Sequence, residues 1–364
     1  MKKIILLCQQ GVPLELSPAR YQLICEFEKR NYAIYCFFPG KVTDGYIKSK
    51  IHRCINTKSL SIKKFREKIK SISPDIVIAF TYEDAKVLYP LMKTMRNTKF
   101  VYYNLEIYTP QMEEYIYADE KFFKVKSKAA FFLNKIKEII FVHDCYLFVI
   151  QDALRAKISA KHFIHHSNTM LIPNTYIYNS NDDVGVTRKG IIYSGGLNKL
   201  QLQTLIGDIE KLSNIPITFS GWSDKWFKTQ FKKIHELYPE IRLSEQSLSQ
   251  EKFTQFLNQF AVGLIWYSPT GNDNIDYIGM SSGKLFKHLS LGQPVIVMSC
   301  PGLDSIVCKY KLGVVINDVS QIKEAYESIM RRYSFYRENV KYVYKRKFDY
   351  EKIIIPFLEE LDKN

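Results

Sequence analysis

Ser281, Ser282, Gly283 and Lys284 head a stretch, Leu285-Phe286-Lys287-His288-Leu289-Ser290-Leu291-Gly292-Gln293-Pro294-Val295-Ile296-Val297, whose pattern predicts a helix closed by Gly292 and then a short buried strand. Two hydroxyls, a glycine and a lysine at a helix amino end suit an anion. Unpaired N–H groups there carry partial positive charge, so a diphosphate gains backbone hydrogen bonds and an ion pair with Lys284. A serine at this place also serves as an ordinary cap with no ligand. Two more loops have a related character: Ser194-Gly195-Gly196-Leu197-Asn198-Lys199 and Ser220-Gly221-Trp222 each follow a predicted strand. Glycine there either lets backbone approach a phosphate or only makes a tight turn. Lys199 and Lys284 read as phosphate ligands or as solvated lysines, and Trp222 as a base-stacking ring or a core aromatic.

These residues need a scaffold, and the chain supplies a repeating one. Apolar strand candidates at 3–8, 33–38, 75–80, 100–104 and 146–150 alternate with helix candidates near 17–30, 61–72, 82–95 and 111–140, the pattern of a doubly wound parallel sheet. A polar break at 178–185 has linker composition. The pattern then restarts, with strands at 190–194, 215–220, 261–267, 294–298 and 313–316 and helices at 198–212, 225–237, 249–259 and from Ser281. A helical stretch at 333–361 ends the chain. In such sheets ligands collect outside the carboxyl ends of the strands, which is where the glycine loops fall.

Composition sets the class. The 364 residues, 46% hydrophobic, suffice for two domains with separate cores. No apolar run approaches a membrane span, and Ile4–Leu7 is too short for a signal-peptide core, so a cytoplasmic protein is expected. Seven cysteines without a Cys-x-x-Cys pair point to reduced thiols rather than disulfides or zinc. The net charge of +15 is uneven: residues 1–180 hold 28 Lys/Arg against 16 Asp/Glu, residues 181–364 hold 24 against 21. The basic first half suits an anionic partner such as a phospholipid surface or a phosphate-bearing lipid. Nucleic acid is the weakest choice, because no recognition signature is present.

The same residues resemble GT-B glycosyltransferases, specifically the large retaining group of bacterial sucrose-synthase-like and polysaccharide-assembly enzymes (family 4-like, glycosyl transferases group 1). Tyr193-Ser194-Gly195-Gly196 with Lys199 is similar to that family's glycine turn and basic residue. The stretch from Ser281 to Ile296 is similar to its Ser-Pro-x-Lys-Leu-x-Glu-Tyr-hydrophobic-Ala-x-Gly-x-Pro-Val-Ile segment, and Ile172-Pro173-Asn174 to its Pro-Asn dipeptide. The resemblance implies two Rossmann-like domains facing a central cleft: an acceptor domain at 1–180 and a nucleotide-sugar donor domain at 181–344, with a helix at about 345–364 packing back on the first. It implies sugar transfer with retention, same-face attack assisted by the leaving phosphate, and no covalent nucleophile. The residues expected to act are Lys199, Lys284 and Glu106, with Gly195, Gly196, Gly221, Trp222, Ser281, Ser282 and Gly283 at the donor and Gln10 and Gly11 in an N-domain loop.

Departures from the family accompany these matches. The paired glutamates flanking the donor loop correspond to Gly279 and Lys287, the histidine before Glu106 is Leu105, and the arginine of the glycine turn appears as Gly196 or Asn198. An inactive GT-B partner subunit and a nucleotide-sugar epimerase on the same fold are the alternatives. No cofactor is expected, and no metal: there is no Asp-x-Asp, and Asp273-Asn274-Ile275-Asp276 has the wrong spacing. His162, His165 and His166 have ligand-like spacing but no carboxylate or cysteine beside them in sequence, and read as solvent-facing or core histidines. Expected partners are a nucleotide-sugar, a glycan or lipid-linked acceptor, and anionic membrane at the inner face of the cell membrane. The membrane contact would run through 121–141, where Phe122, Val125, Ala129, Phe132, Ile136 and Ile139 recur at helical spacing among lysines. The competing reading packs that stripe on the first sheet.

Overall fold

The computed structural model describes all residues except 9–16, 41, 43–44, 108–124, 163–165, 179–187, 213, 246–247, 249, 269–272 and 364. The chain divides into two compact units, Met1–Asn174 with Ile354–Asn364, and Thr175–Ile353. The first division therefore falls at 174/175 rather than at 180/181, and the return crossing at 353/354 rather than at 344/345.

The first unit holds a seven-stranded parallel sheet in the order β3-β2-β1-β4-β5-β6-β7. Its strands are β1 (Lys3–Leu7), β2 (Ala33–Phe38), β3 (Arg53–Asn56), β4 (Ile76–Ala79), β5 (Lys99–Asn104), β6 (Leu147–Ile150) and β7 (Thr169–Leu171). Its helices are α1 (Pro18–Lys29), α2 (Gly45–Lys50), α3 (Ile62–Ile72), α4 (Tyr82–Met92), α5 (Val125–Asp144) and α6 (Ala153–His162). The central strands β4 and β6 are buried at every position, as expected of a parallel sheet with helices on both faces. The edge strands β3 and β7 escape sequence reading because they are short, half-exposed and not continuously apolar.

The second unit repeats the scheme with six parallel strands ordered β10-β9-β8-β11-β12-β13. These are β8 (Ile191–Ser194), β9 (Ile217–Ser220), β10 (Arg242–Ser244), β11 (Val262–Ile265), β12 (Val295–Met298) and β13 (Gly313–Ile316). The helices are α7 (Lys199–Gly207), α8 (Lys225–Leu237), α9 (Gln250–Leu257), α10 (Asp273–Asp276), α11 (Gly283–Ser290), α12 (Leu303–Tyr310), α13 (Ile322–Arg331), α14 (Tyr333–Lys347) and α15 (Tyr350–Ile353). The predicted helix from Ser281 begins at Gly283, because Ser281 closes a 3-10 turn and Ser282 is the cap.

The predicted amphipathic helix at 111–140 is, among the described residues, α5, and 108–124 lie outside them. α5 turns Phe141 and Val142 into the core. Phe132, Leu133, Ile136 and Ile140 remain 41%, 58%, 53% and 37% exposed, so the predicted stripe does not pack on the sheet at Phe132 and Ile136.

After α15 the chain re-enters the first unit as α16 (Ile355–Asp362), whose Phe357 ring meets Tyr103 at 5.8 Å edge to face. Its end is an electrostatic clasp: Asp362 accepts from Lys2 Nζ at 3.1 Å, Arg30 Nη1 at 2.9 Å and the Tyr32 hydroxyl. Partial burial pushes its carboxyl up, yet the Tyr32 hydrogen bond and the Lys2 and Arg30 charges hold it below the usual carboxylate range. A depressed carboxylate contributes stability above its unfolded value, and that contribution is lost as pH falls through the lower folded value. The clasp is partly solvated, so Asp362→Ala is expected to lower the unfolding midpoint by only about 2–4 °C at neutral pH. Calorimetry with added salt checks the cause, because the deficit should shrink as screening rises.

Candidate active site

The carboxyl end of β8 runs directly into the first glycine loop. Gly195 has φ +150°, and a Cβ there would stand 2.4 Å from Lys284 Cε. Gly221, after β9, has φ +146°, and its Cβ would stand 1.8 Å from the Gly195 carbonyl oxygen. The glycines are required because the two loops touch each other and one touches the lysine. Backbone bonds lace them together: Gly195 N to Ser220 O at 2.9 Å, Leu197 N to Trp222 O at 2.7 Å and Asp224 N to Leu197 O at 2.9 Å. Asn198 then caps α7 through Gln201 N, and Asp224 caps α8 through Phe227 N.

Lys284 sits in the first turn of α11, behind Ser282. The Ser282 hydroxyl is fully buried, accepts from Leu285 N at 3.2 Å and pairs with the Tyr267 hydroxyl at 3.0 Å. One helix amide is thus already taken by the cap. Lys284 Nζ donates to Tyr193 Oη at 2.6 Å and Gln201 Oε1 at 2.7 Å, and lies 4.6 Å and 4.4 Å from the Tyr193 and Tyr267 ring centres. These partners are neutral. Burial therefore lowers the Lys284 ammonium to about 7.

A second chain of hydrogen bonds fixes α11 to the end of β8. Gln293 Nε2 donates to Leu257 O at 2.6 Å and Phe260 O at 2.7 Å, so its Oε1 must accept from His288 Nδ1 at 2.7 Å. His288 Nε2 then accepts from Ser194 Oγ at 3.0 Å. Burial lowers His288 to about 4, which keeps it neutral, and the Gln293 amide oxygen holds this tautomer. His288 lies within the motif that begins at Ser281, but its role depends on Ser194 and Gln293, which the fold supplies.

The sequence-predicted residues separate into groups. Gly195, Gly196, Gly221, Ser282, Gly283 and Lys284 lie on the loops and helix start just described, while Ser281 is buried behind them. Lys199 opens α7 with an exposed side chain, and its backbone N–H donates to Asp224 Oδ2 at 3.3 Å. Trp222 is 74% exposed, which removes the core-aromatic reading. Glu106 is exposed just after β5 in the other unit. Gln10, Gly11 and His165 lie outside the described residues. His166 is a core histidine bonded to Cys145 O and Asn168 O. Among the described residues no cluster of three or more His, Cys, Asp or Glu could hold a metal ion.

Gly279 and Lys287 occupy the positions where acidic residues are expected. Gly279 lies in the 3-10 turn, and Lys287 donates to Thr254 Oγ1 at 2.8 Å over the Tyr176 ring. Tyr193, Gln201 and Tyr267 form the lysine cage; of these the sequence motifs include only Tyr193, with no role assigned to its side chain. Only an alignment of strand ends against α11 brings them together.

The caged ammonium makes a stability prediction. The unfolded lysine binds its proton up to about 10.5 and the folded one only to about 7, so stability should rise between those values. Lys284→Met should therefore raise the unfolding midpoint at pH 7 and give progressively less as pH approaches 10.5. Thermal unfolding across that range checks it, and a gain independent of pH would show that the cage does not strain the charge.

Residues 191–347 match the family description Glucosyltransferase 3-like, C-terminal domain. A comparison with curated protein sequences finds no match. Among solved structures, HepE of Anabaena in complex with UDP and glucose is similar with a TM-score of 0.71 at 13% identity, covering 100% of both chains. A glycosyltransferase from Rickettsia africae gives 0.70 at 13%, covering 100% of this chain and 99% of that one. The sucrose-phosphate synthase of Thermosynechococcus elongatus gives 0.69 at 13%, covering 99% and 98%. The paired parallel sheets are thus those of the GT-B fold, and over 191–347 the second unit matches the Glucosyltransferase 3-like C-terminal domain.

Proposed function

We propose that this chain is a glycosyltransferase that moves a sugar from a nucleotide-sugar to a hydroxyl of a glycan, glycolipid or lipid-linked acceptor in bacterial surface polysaccharide or glycoconjugate synthesis. The observation that carries this reading is the Lys284 ammonium, held under a glycine loop, among the described residues, by neutral groups alone. A largely desolvated cation without a counter-ion is costly unless an anion arrives to take it up. The family match over the unit that holds Lys284, and the UDP and glucose bound by the similar HepE, support a nucleoside diphosphate as that anion.

Breaking the sugar–phosphate bond leaves charge on the departing diphosphate. Groups already aimed at that charge lower the barrier as it develops. Lys284 exchanges Gln201 and Tyr193 for phosphate oxygens, Lys199 adds a second cation, and the Gly195, Gly196, Gly221 and Gly283 backbone leaves room for close approach. Exposed Trp222 offers a stacking face to the base. No side chain is assigned as a covalent nucleophile: the acceptor hydroxyl bonds to the anomeric carbon from the face the diphosphate leaves, its proton passes to the departing diphosphate, and the configuration is retained. The two lysines supply the charge for which other transferases use a metal. Glu106, beyond β5, serves the acceptor in the first unit.

The exposed apolar stripe of α5 supports a peripheral contact with anionic membrane, where a lipid-linked acceptor resides. Among the described residues no helix is long and apolar enough to cross a membrane.

The donor test is a thermal-shift screen against UDP-, GDP-, CMP- and ADP-sugars, followed by turnover of the selected donor. Lys284→Ala is expected to reduce turnover roughly 10²–10³-fold, with wild-type activity persisting in EDTA and product NMR showing retention. Donor binding without turnover by the wild type would instead favour an inactive subunit. For the membrane contact, sedimentation with vesicles containing anionic phosphatidylglycerol at low salt should pull down the wild type and spare a Phe132→Glu/Ile136→Glu double variant. Equal recovery of the two would exclude α5 as the contact.

A further inference from the structure

Tyr102 and Asn104 are alternate residues of β5 and so share one face of the first unit's sheet. The Tyr102 hydroxyl is satisfied by the equally buried Glu138 of α5, at 2.6 Å. Asn104 is treated differently. It is 2% exposed, and its Oδ1 is buried without a hydrogen-bond partner among the described residues. An amide oxygen shut away from water and left unpaired is a cost that folded proteins rarely carry without a use.

The backbone that carries the amide is held at two points. Asn104 is held in register with Ile150 of β6, and the next peptide is clamped by the buried Arg155, whose Nη1 donates to Leu105 O at 3.2 Å. Arg155 is itself anchored at the start of α6, where Asp152 Oδ1 accepts from Leu154 N at 2.7 Å. The backbone therefore has no freedom to turn the amide outward. A leucine has the same number of side-chain heavy atoms in a similar branched shape with no polar atom to satisfy, so packing alone does not account for asparagine. Asn104 is also the last residue of its strand, at the carboxyl edge where ligands of parallel sheets collect, two residues before the exposed Glu106.

We propose that the Asn104 amide is a positioning contact for a hydroxyl of the sugar acceptor, meeting from inside the sheet edge the group that Glu106 meets from solvent. This rests on the reading of the first unit as the acceptor side of a glycosyltransferase. The amide has both a donor and an acceptor, so it matches a sugar hydroxyl in either sense, and an acceptor lacking that hydroxyl would leave it unpaired. Asn104 acts by orienting the acceptor and takes no part in holding the diphosphate.

The test uses the full chain, the donor selected by thermal shift, and a panel of p-nitrophenyl glycosides as acceptor probes. Asn104→Leu should leave the unfolding midpoint unchanged or a few degrees higher, because it removes the orphaned group. Nucleotide affinity and the slow hydrolysis of donor without acceptor should stay within about twofold, while the acceptor KM rises about tenfold or more. Asn104→Ala should show the same split between donor and acceptor and guards against a packing fault in the leucine variant. The proposal is overturned by an acceptor KM within about twofold of wild type, or by a midpoint that falls by several degrees in Asn104→Leu, which would mean a buried water satisfies the amide structurally. It is equally overturned if the wild type hydrolyses donor yet neither binds nor glycosylates any glycoside of the panel. Absence of donor turnover by the wild type would refute the transferase reading itself.

Discussion

A positive charge with no negative partner among the described residues organises the second unit. Lys284 reaches from the first turn of α11 to the end of β8 and is met there by a phenol, a carboxamide and two ring faces. Each neighbour is adapted to that reach. Gly195 has no side chain because the lysine stem occupies the space, and Gly221 has none because the Gly195 carbonyl does. Gln201 comes from α7, whose start is set by the Asn198 cap. Replacing the neutral partners by a carboxylate would pair the charge permanently and remove its availability to a ligand.

The rigidity of that arrangement comes from groups that never touch the lysine. The Gln293–His288–Ser194 chain ties α11 to β8 with every donor and acceptor assigned, and a neutral histidine is what the assignment demands. A protonated ring would offer a second donor where Ser194 now gives its own. Preorganisation of this kind lets loops of glycine present fixed amides, since backbone that has lost its side chains needs an external brace.

The two units are built by one rule and used differently. In both, buried parallel strands deliver their ends to loops on the carboxyl edge. In the second unit that edge is cationic and glycine-rich; in the first it carries an amide oxygen unpaired among the described residues and an exposed carboxylate. The first unit is also the one closed by a segment distant in sequence: α16 returns after α15 and is held by Tyr103, Tyr146 and the clasp on Asp362.

Much of this was legible in the residues. Alternating apolar runs identified the doubly wound units, and the Ser281–Lys284 and Gly195–Lys199 segments were found because serine caps, glycine turns and lysine act locally, within a few residues of one another. The terminal helix was legible as a helix, and the apolar stripe at Phe132 and Ile136 as an amphipathic face. Its exposure was not, because periodicity identifies a face and says nothing of what covers it. The short edge strands β3, β7 and β10 were missed for a similar reason: pairing with a neighbour, rather than their own pattern, makes them strands. Tertiary structure alone decided that Lys284 is caged by Tyr193, Gln201 and Tyr267, that His288 is a brace, and that the Asn104 amide oxygen has no partner among the described residues. Charge state and hydrogen-bond satisfaction are set by neighbours brought from distant positions, and a linear chain fixes only the neighbours along its own length.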